Sequence, residues 1–230
     1  MAIRVVACDI FGTTVDWYTG VSEQVATLLP DVDPAELARR WREKYIPSMT
    51  RVRQGDREWT YLDTLHRESL DTLLAEMDVL ADEQTRAALV RAWHRLPAWP
   101  DAVAGLREIG RSHTTAALSN GGFALITSLV KHARLPFDCI LSAELARTYK
   151  PAAKVYRMTA ELLDVAPEEV LLAAAHSWDL DGAKAAGLKT AFIHRPREKG
   201  PEQEPDTATK DDYDYHAEDF NDLANQLKNP

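Results

Sequence analysis

The feature that most constrains the fold is an apolar run near the start of the chain that ends on a carboxylate. The run Val5–Cys8 leads directly into Asp9, and a glycine and two hydroxyl residues follow at Gly12, Thr13 and Thr14. Such a run predicts a buried strand of a parallel sheet. Ligands of open α/β sheets bind beyond the carboxyl ends of the strands, so Asp9 is expected at the mouth of a site. An Asp placed there can act as a covalent nucleophile, and Gly12 lets the backbone turn close to a substrate.

A helical block follows this first strand. Residues from about 16 to 97 have helical periodicity and few strand signals. Asp33 is an N-cap candidate, because Pro34 stands at the first helical position and Glu36 completes a capping box. The helix that starts there is expected to carry Leu37, Trp41 and Tyr45 on one face, and further helices are predicted over residues 59–77 and 82–95.

After residue 97 the predicted elements alternate. Strands are expected at residues 114–118, 139–142, 170–174 and 190–194, with helices between them. This alternation is typical of βα units on a parallel sheet. The prediction is an α/β protein with a Rossmann-like parallel-sheet core (1–15 and 98–230) and an inserted α-helical cap domain (16–97) over the strand ends. The Pro-rich, charged segment 195–213 is predicted to be a surface loop, followed by a short helix.

The composition narrows the class of partner. Lys and Arg number 27 against 36 Asp and Glu, a net charge of −9, so neither nucleic acid nor an acidic membrane is expected to bind. A local basic pocket can still accept a small anion. Cys8 and Cys139 lie in apolar runs and are expected to be buried, reduced thiols. With no apolar stretch long enough for a bilayer and no apparent signal peptide, the expected location is the cytoplasm.

Polar residues stand at four predicted strand ends: Asp9, Ser119-Asn120, Lys150 and the segment from His176 to Asp179. These ends gather on one edge of a parallel sheet. Each residue also has a structural explanation. Ser119 or Asn120 could be an N-cap, Lys150 a solvated loop residue, and Asp179 a favourable charge at a helix N-terminus. The order Asp, Ser, Lys, Asp at successive strand ends is harder to obtain by chance.

This constellation resembles the haloacid dehalogenase superfamily over essentially the whole chain, and most closely its L-2-haloacid dehalogenase (type II) branch. The segments that carry the resemblance are Asp9-Ile10-Phe11-Gly12-Thr13, Trp41-Arg42-Glu43-Lys44, Leu118-Ser119-Asn120-Gly121, Tyr149-Lys150-Pro151, Val155-Tyr156 and Trp178-Asp179.

Phe11 selects the branch. Phosphoryl-transferring relatives carry a second Asp two residues after the nucleophile, as acid/base, and use Mg²⁺. Phe11 can neither donate a proton nor bind a metal, and phosphoryl transfer loses its main electrostatic stabilisation without these parts. Displacement of a halide at carbon needs neither, and an apolar wall desolvates the attacking carboxylate. The structural alternative for Phe11 is core packing.

The resemblance implies a metal-independent, cofactor-free hydrolysis. Asp9 would attack C2 of a short L-2-haloalkanoic acid and form an ester, which water would hydrolyse at the Asp9 carboxyl carbon to give a D-2-hydroxy acid. Lys150 would favour the charged form of Asp9. Thr13 and Ser119 would bind the substrate carboxylate through hydroxyl and backbone donors.

The leaving halide would meet Arg42, with Asn120 and Trp178 completing its cradle, while Tyr156 would hydrogen-bond near the carboxylates. Arg42 could instead be a solvated helix charge, and Tyr156 a buried tyrosine with a satisfied hydroxyl.

His176 departs from the family pattern. Familiar members carry Ser-x-Asn ahead of Trp-Asp, whereas this chain reads Ala174-Ala175-His176-Ser177-Trp178-Asp179. Those polar groups position the hydrolytic water, so His176 is a candidate general base that Asp179 would orient or charge-balance. The alternative is that His176 only hydrogen-bonds Asp9 or a water.

Other activities remain open at this stage. A hydrolase on the same scaffold could act at carbon on a small carboxylic acid without halogen, a Mg²⁺-dependent phosphatase is disfavoured by Phe11, and a non-catalytic binding protein is disfavoured by the joint presence of the four strand-end residues. The expected partners are a small 2-haloacid substrate and a second copy of the chain, because family members are often homodimers.

Overall fold

A six-stranded sheet organises the molecule, and every pair of neighbouring strands is parallel. The computed structural model describes residues 2–228. The strands are β1 (Val5–Cys8), β2 (Thr114–Ser119), β3 (Cys139–Ser142), β4 (Val170–Ala174), β5 (Lys189–Ile193) and β6 (Tyr215–Ala217). Their spatial order is β3-β2-β1-β4-β5-β6, so the strand order reverses between β1 and β4. Open α/β sheets bind ligands at such a switch point.

The register aligns the strand ends. Cys8, the last residue of β1, pairs with Ala117 of β2 and with Ala173 of β4. The backbone N–H of Asp9 continues the ladder by donating to the Ala173 carbonyl at 3.0 Å. Asp9 therefore leaves the sheet at the same edge as the ends of both neighbouring strands.

Helices cover the sheet and form the cap. The five between β1 and β2 that lie in the inserted block are α1 (Trp17–Leu28), α2 (Pro34–Glu43), α3 (Tyr45–Gln54), α4 (Leu62–Glu76) and α5 (Glu83–Ala92). The remainder are α6 (Ala102–Ile109), α7 (Phe123–Ala133), α8 (Ala143–Ala146), α9 (Ala153–Leu162), α10 (Ser177–Ala185) and α11 (Phe220–Lys228). The predicted α/β fold with an inserted helical cap is thus confirmed. The boundaries at residues 15/16 and 97/98 remain predictions.

Local sequence accounts for the cap helices. Asp16, Asp33 and Asp82 each accept a backbone N–H at the start of α1, α2 and α5, the role that short carboxylates play at N-caps. The prediction of one continuous helix through Tyr45 is wrong, because α2 ends at Glu43 and a separate helix, α3, begins at Tyr45.

An aromatic cluster joins the cap to the loop after β1. Trp93 lies edge-on to Phe11, with ring centroids 5.7 Å apart, and to Trp41 at 5.5 Å. Trp17 stacks on Trp93 at 6.4 Å. All four rings are almost fully buried, so the cap is packed directly onto the residues that follow Asp9.

Two expectations need correction. The segment 195–213 is not simply a surface loop, since Arg195 is only 6% exposed and Glu198 only 2%. Arg195 forms a two-pronged ion pair with Asp101, each contact 2.8 Å, and so ties the segment to the start of α6. Cys8 is buried as expected but Cys139 is half-buried, and neither forms a disulfide within residues 2–228. No helix of the described chain has the length and apolar character to cross a membrane.

Candidate active site

Asp9 is held at both carboxylate oxygens. Lys150 donates to Oδ1 at 3.0 Å, and the Thr13 hydroxyl donates to Oδ2 at 2.9 Å. Thr13 is fixed in turn, because the backbone N–H of Ala175, just past β4, donates to its oxygen at 2.9 Å. The Thr14 hydroxyl caps the Asp9 carbonyl at 2.6 Å. These contacts determine the orientation of the carboxylate.

Lys150 lies between two carboxylates. Its Nζ is 3.0 Å from Asp9 and 2.7 Å from Asp179, and the three side chains are almost wholly buried. The Tyr156 hydroxyl donates to the second oxygen of Asp179 at 2.6 Å, which places this tyrosine next to the carboxylates as the sequence predicted. A buried cation that contacts two buried anions leaves one unit of negative charge to be balanced elsewhere.

The electrostatics keep Asp9 ionised. Burial alone raises the pKa of Asp9, but the Lys150 ammonium and the His176 ring outweigh it and hold that pKa below its usual range. Burial likewise lowers the pKa of Lys150, and Asp179 and Asp9 reverse the effect and raise it. For Asp179, burial and the nearby Asp9 carboxylate raise the pKa against the opposing effect of Lys150. An ionised carboxylate in a dry site is what nucleophilic attack requires.

His176 lies between Asp9 and a residue that the sequence did not suggest, Glu198. Its Nδ1 is 3.3 Å from Asp9 Oδ2, and its Nε2 is 3.0 Å from Glu198 Oε1. The Trp17 indole N–H donates to the same Glu198 oxygen at 2.9 Å. Burial lowers the pKa of His176, but Glu198 and Asp9 together raise it to about 10. Burial raises the pKa of Glu198, and His176 brings it down to about 2.

The predicted pairing of His176 with Asp179 is wrong. The two carboxylate oxygens of Asp179 accept hydrogen bonds from Lys150 and Tyr156, whereas Glu198 contacts His176. Gly12 makes this arrangement possible. Its φ of 90° suits glycine, and a Cβ at this position would collide with the Glu198 carboxylate. Gly12 was singled out in the sequence for a close approach to substrate, and its close neighbour is Glu198.

Ser119 and Asn120 shape the backbone at the end of β2. The Ser119 hydroxyl oxygen accepts the N–H of Gly121 at 3.1 Å, and the side-chain Oδ1 of Asn120 accepts the backbone N–H of Lys150 at 2.8 Å. Both residues are buried. Asn120 therefore positions the loop that carries the lysine.

The cap contributes Arg42 to the same site. Its guanidinium carbon lies 4.2 Å from the centre of the Tyr45 ring and 5.4 Å from that of Trp17, close enough for a cation–π interaction. Its Nη1 is buried, with no hydrogen-bond partner in residues 2–228. Arg42 is thus not a solvated helix charge, and the donor atom without a partner can serve a ligand.

Two adjoining cavities open onto these residues. A polar one of about 340 Å³ is lined by Arg42, His176, Glu198 and Trp178, among others. The Trp178 ring stacks on His176, with centroids 5.8 Å apart. An apolar one of about 270 Å³ lies between α3 of the cap and Lys150. Ile46 and Trp178 line both, so the two spaces share one wall.

The structure brings all eleven sequence-predicted site residues to one edge of the sheet, and it adds Glu198 and Trp17. Phe11 packs edge-on against Tyr45, with centroids 6.3 Å apart, and presents no ligand atom. Within residues 2–228, no group of three or more His, Cys, Asp or Glu side chains is arranged to hold a metal ion.

Comparison with known proteins identifies the class. The family model for haloacid dehalogenase-like hydrolases matches residues 3–187. The chain therefore belongs to the haloacid dehalogenase-like hydrolases. Its curated relatives include (S)-2-haloacid dehalogenase 1 of Pseudomonas sp. (strain CBS-3), 32% identical over 199 residues, which cover 84% of this chain and 85% of the relative. The (S)-2-haloacid dehalogenase of Xanthobacter autotrophicus is 32% identical over 203 residues, with 84% and 76% covered.

Solved structures point to the same branch. A crystal structure of an L-2-haloacid dehalogenase is 45% identical, has a TM-score of 0.94, and covers 98% of this chain and 100% of its own. That of a defluorinating L-2-haloacid dehalogenase is 44% identical with a TM-score of 0.95, covering 98% and 95%. The Xanthobacter autotrophicus enzyme with chloropropionic acid covalently bound is 26% identical with a TM-score of 0.86, covering 99% of both chains.

Proposed function

We propose that the protein hydrolyses short L-2-haloalkanoic acids to D-2-hydroxy acids through an ester on Asp9, without a metal. The observation that carries the proposal is the state of Asp9: a buried carboxylate, kept ionised by Lys150 and oriented at both oxygens. Asp9 attacks C2, the carbon–halogen bond breaks, and the halide leaves with the bonding electrons. Attack from the side opposite the halogen inverts the configuration at C2.

The substrate carboxylate and the departing halide need separate partners. The Thr13 hydroxyl is already committed to Asp9, so its part is to orient the nucleophile. The Ser119 hydroxyl accepts from Gly121 and can still donate to the substrate carboxylate, together with backbone N–H groups of this turn. Arg42, the Asn120 amide and the Trp178 ring edge receive the halide. Arg42 suits this role because its buried Nη1 has no hydrogen-bond partner in residues 2–228 and because Arg42 and Trp178 line the same cavity.

The ester is hydrolysed at the Asp9 carboxyl carbon. His176 contacts the Asp9 carboxylate from the polar cavity, so a water beside it can attack the ester carbonyl with the imidazole as general base. Lys150 stays next to the carbonyl oxygen and stabilises the charge that develops there. Cleavage regenerates the Asp9 carboxylate and releases the hydroxy acid.

Substrate assays test this function. Purified protein is incubated with L-2-chloropropionate, monochloroacetate, fluoroacetate and p-nitrophenyl phosphate, each with EDTA and with Mg²⁺. Fluoroacetate is included because one similar structure is that of a defluorinating enzyme. Halide release that is unaffected by EDTA is expected. Phosphate release that needs Mg²⁺, with no halide from any haloacid, would contradict the proposal.

The oligomeric state and the cellular location are part of the proposal. A homodimer in the cytoplasm is the arrangement that the family resemblance implies. Light scattering coupled to size-exclusion chromatography measures the mass in solution, and a monomer mass would count against the homodimer. Cell fractionation with an antibody to the native chain tests the cytoplasmic location.

A further inference from the structure

His176 is buried between two carboxylates. The ring is 5% exposed, with Asp9 3.3 Å from Nδ1 and Glu198 3.0 Å from Nε2. Both carboxylates are themselves buried, so solvent screens their charges poorly. An imidazolium between them offsets part of the negative charge that Asp9, Asp179 and Glu198 carry in excess of Lys150.

The other charges near the ring are farther away or already paired. Arg39, Arg42, Glu43, Lys199 and Asp206 line the polar cavity that His176 faces, and Lys199 is paired with Asp206 at 2.8 Å. Behind Asp9, Lys150 and Asp179 pair with each other. The charges that contact the ring nitrogens are those of Asp9 and Glu198.

The inference rests on the proposed function, and for that function the protonation of His176 is a chemical problem. A protonated imidazole cannot accept a proton from water, and with a pKa of about 10 His176 is protonated at neutral pH. The ester, however, has no charge. When Asp9 becomes an ester, His176 loses one of its two anionic neighbours, while burial continues to disfavour its charged form.

We propose that alkylation of Asp9 is the event that turns His176 from a cation into a base. The imidazolium releases its proton to solvent in the same phase as the halide, so that a proton and a halide ion leave together. The neutral imidazole then takes a proton from the attacking water, whose oxygen bonds to the Asp9 carboxyl carbon. When the bond between the carboxyl carbon and the ester oxygen breaks, the second proton of that water passes to the departing alkoxide oxygen, so the hydroxy acid leaves and the carboxylate and imidazolium of the resting site return.

Glu198 is the positioning residue of this switch. Its hydrogen bond to Nε2 holds the ring with Nδ1 3.3 Å from Asp9 Oδ2, and Trp17 fixes the Glu198 carboxylate. Because Glu198 keeps its charge after alkylation, the pKa of His176 falls toward the neutral range rather than far below it. A general base works best when its pKa is near the pH at which it operates.

The test is an NMR titration of the full chain labelled with ¹⁵N-histidine, the His176 signals being assigned with His176→Asn. Asp9→Asn removes the charge of Asp9, as the ester does. In the wild type, His176 is expected to stay protonated through neutral pH. In Asp9→Asn its midpoint is expected to fall by roughly one to three pH units. In Glu198→Gln it is also expected to fall. A neutral His176 in the resting wild type, or an unchanged midpoint in Asp9→Asn, would overturn the inference.

Asp206→Asn is the matched control, because Asp206 lines the same cavity but pairs with Lys199 rather than with His176. Its His176 midpoint is expected to match that of the wild type, and a shift as large as that in Asp9→Asn would contradict the assignment to Asp9.

A kinetic experiment separates this inference from the proposed function. A single turnover of L-2-chloropropionate is followed by stopped flow with a pH indicator, and halide and hydroxy acid are measured in quenched samples. Proton release is expected in the halide phase. Proton release in the hydroxy-acid phase would overturn the switch but leave the dehalogenase activity standing. A complete absence of halide would count against the activity, and the NMR titration would still show whether Asp9 controls His176.

Discussion

The Glu198 carboxylate lies 3.0 Å from Nε2 of His176, although 22 residues separate the two in the chain. Both side chains are buried, and the ring of His176 also approaches Asp9. The segment after β5 thus contributes a charged residue to a site otherwise built from strand ends and the cap. This contact sets the charge of His176, the residue at which the chain departs from the family pattern.

Replacing His176 by Asn is expected to leave alkylation of Asp9 intact and to slow ester hydrolysis by about 10²–10⁴-fold, the usual contribution of a general base. The ester should accumulate and be visible by mass spectrometry after a rapid quench. His194→Asn is the control, since within residues 2–228 the charged side chain that His194 contacts is the exposed Glu218, and full turnover is expected. Rapid hydrolysis of the ester in His176→Asn would remove His176 from the base role.

The ion pair of His176 and Glu198 should make stability depend on pH. The folded chain holds the His176 proton up to a pKa of about 10, against an ordinary 6.5, so this stabilisation is complete below pH 6.5 and is lost as the pH rises toward 10. One extra bound proton corresponds to at most about 1.4 kcal/mol per pH unit. Glu198 acts in the opposite sense, and its contribution is lost as the pH falls from 4.5 toward about 2.

Urea unfolding of the wild type and His176→Asn measures this effect between pH 6.5 and 10. The difference in free energy of unfolding between the two should shrink as the pH rises. A difference that stays constant over that range would mean that His176 is not protonated in the folded state.

Lys150→Met should both inactivate and destabilise the protein. It leaves Asp9 and Asp179 as buried carboxylates without their shared cation, a change that costs about 3–5 kcal/mol. Lys199→Met is the matched control, because its ion pair with Asp206 is partly exposed and should contribute less than about 1 kcal/mol. Chemical denaturation compares the two, and an equal loss in both variants would contradict the central role assigned to Lys150.

Gly12→Ala tests the space that Glu198 occupies. Gly12 and Gly55 both have positive φ, so alanine at either position should cost about 1–2 kcal/mol of backbone strain. A Cβ on Gly55 meets no atom of the described chain within 4 Å, whereas one on Gly12 collides with Glu198. Only Gly12→Ala should therefore slow ester hydrolysis in single-turnover assays. Equal kinetics in both variants would show that Glu198 can move without consequence.

The sequence predicts the site well where side chains follow strands. Asp9, Ser119 and Asp179 lie at or just beyond strand ends, and parallel packing brings such ends together whatever the loops do. For these residues the order of elements and the position of each motif are enough. The prediction that Lys150 follows a strand end is wrong: α8 lies between β3 and Lys150, which reaches the site because its loop folds back onto Asn120.

The remaining parts depend on contacts that local sequence does not encode. Glu198 lies in a charged, Pro-rich segment whose composition resembles that of an exposed loop. It is buried because Arg195 anchors the segment to Asp101 and because Trp17 and His176 supply its partners. A buried glutamate of this kind could have been suspected only from the unexplained histidine at 176, which needs an acidic partner if it is to be charged.

β6 was missed for a related reason. It has three residues, Tyr215–Ala217, and it exists by pairing with the edge of β5. Such a short run carries no periodic signal of its own.

The most direct test of the account is whether Asp9 becomes covalently attached to the substrate and takes its new oxygen from water. A single turnover of L-2-chloropropionate in H₂¹⁸O, with enzyme in excess, is followed by proteolysis and mass spectrometry. Nucleophilic attack by Asp9 predicts one ¹⁸O in the peptide that carries Asp9 and unlabelled lactate as product. Label in the lactate, with none in that peptide, would mean that water attacks C2 directly and that Asp9 is not the nucleophile.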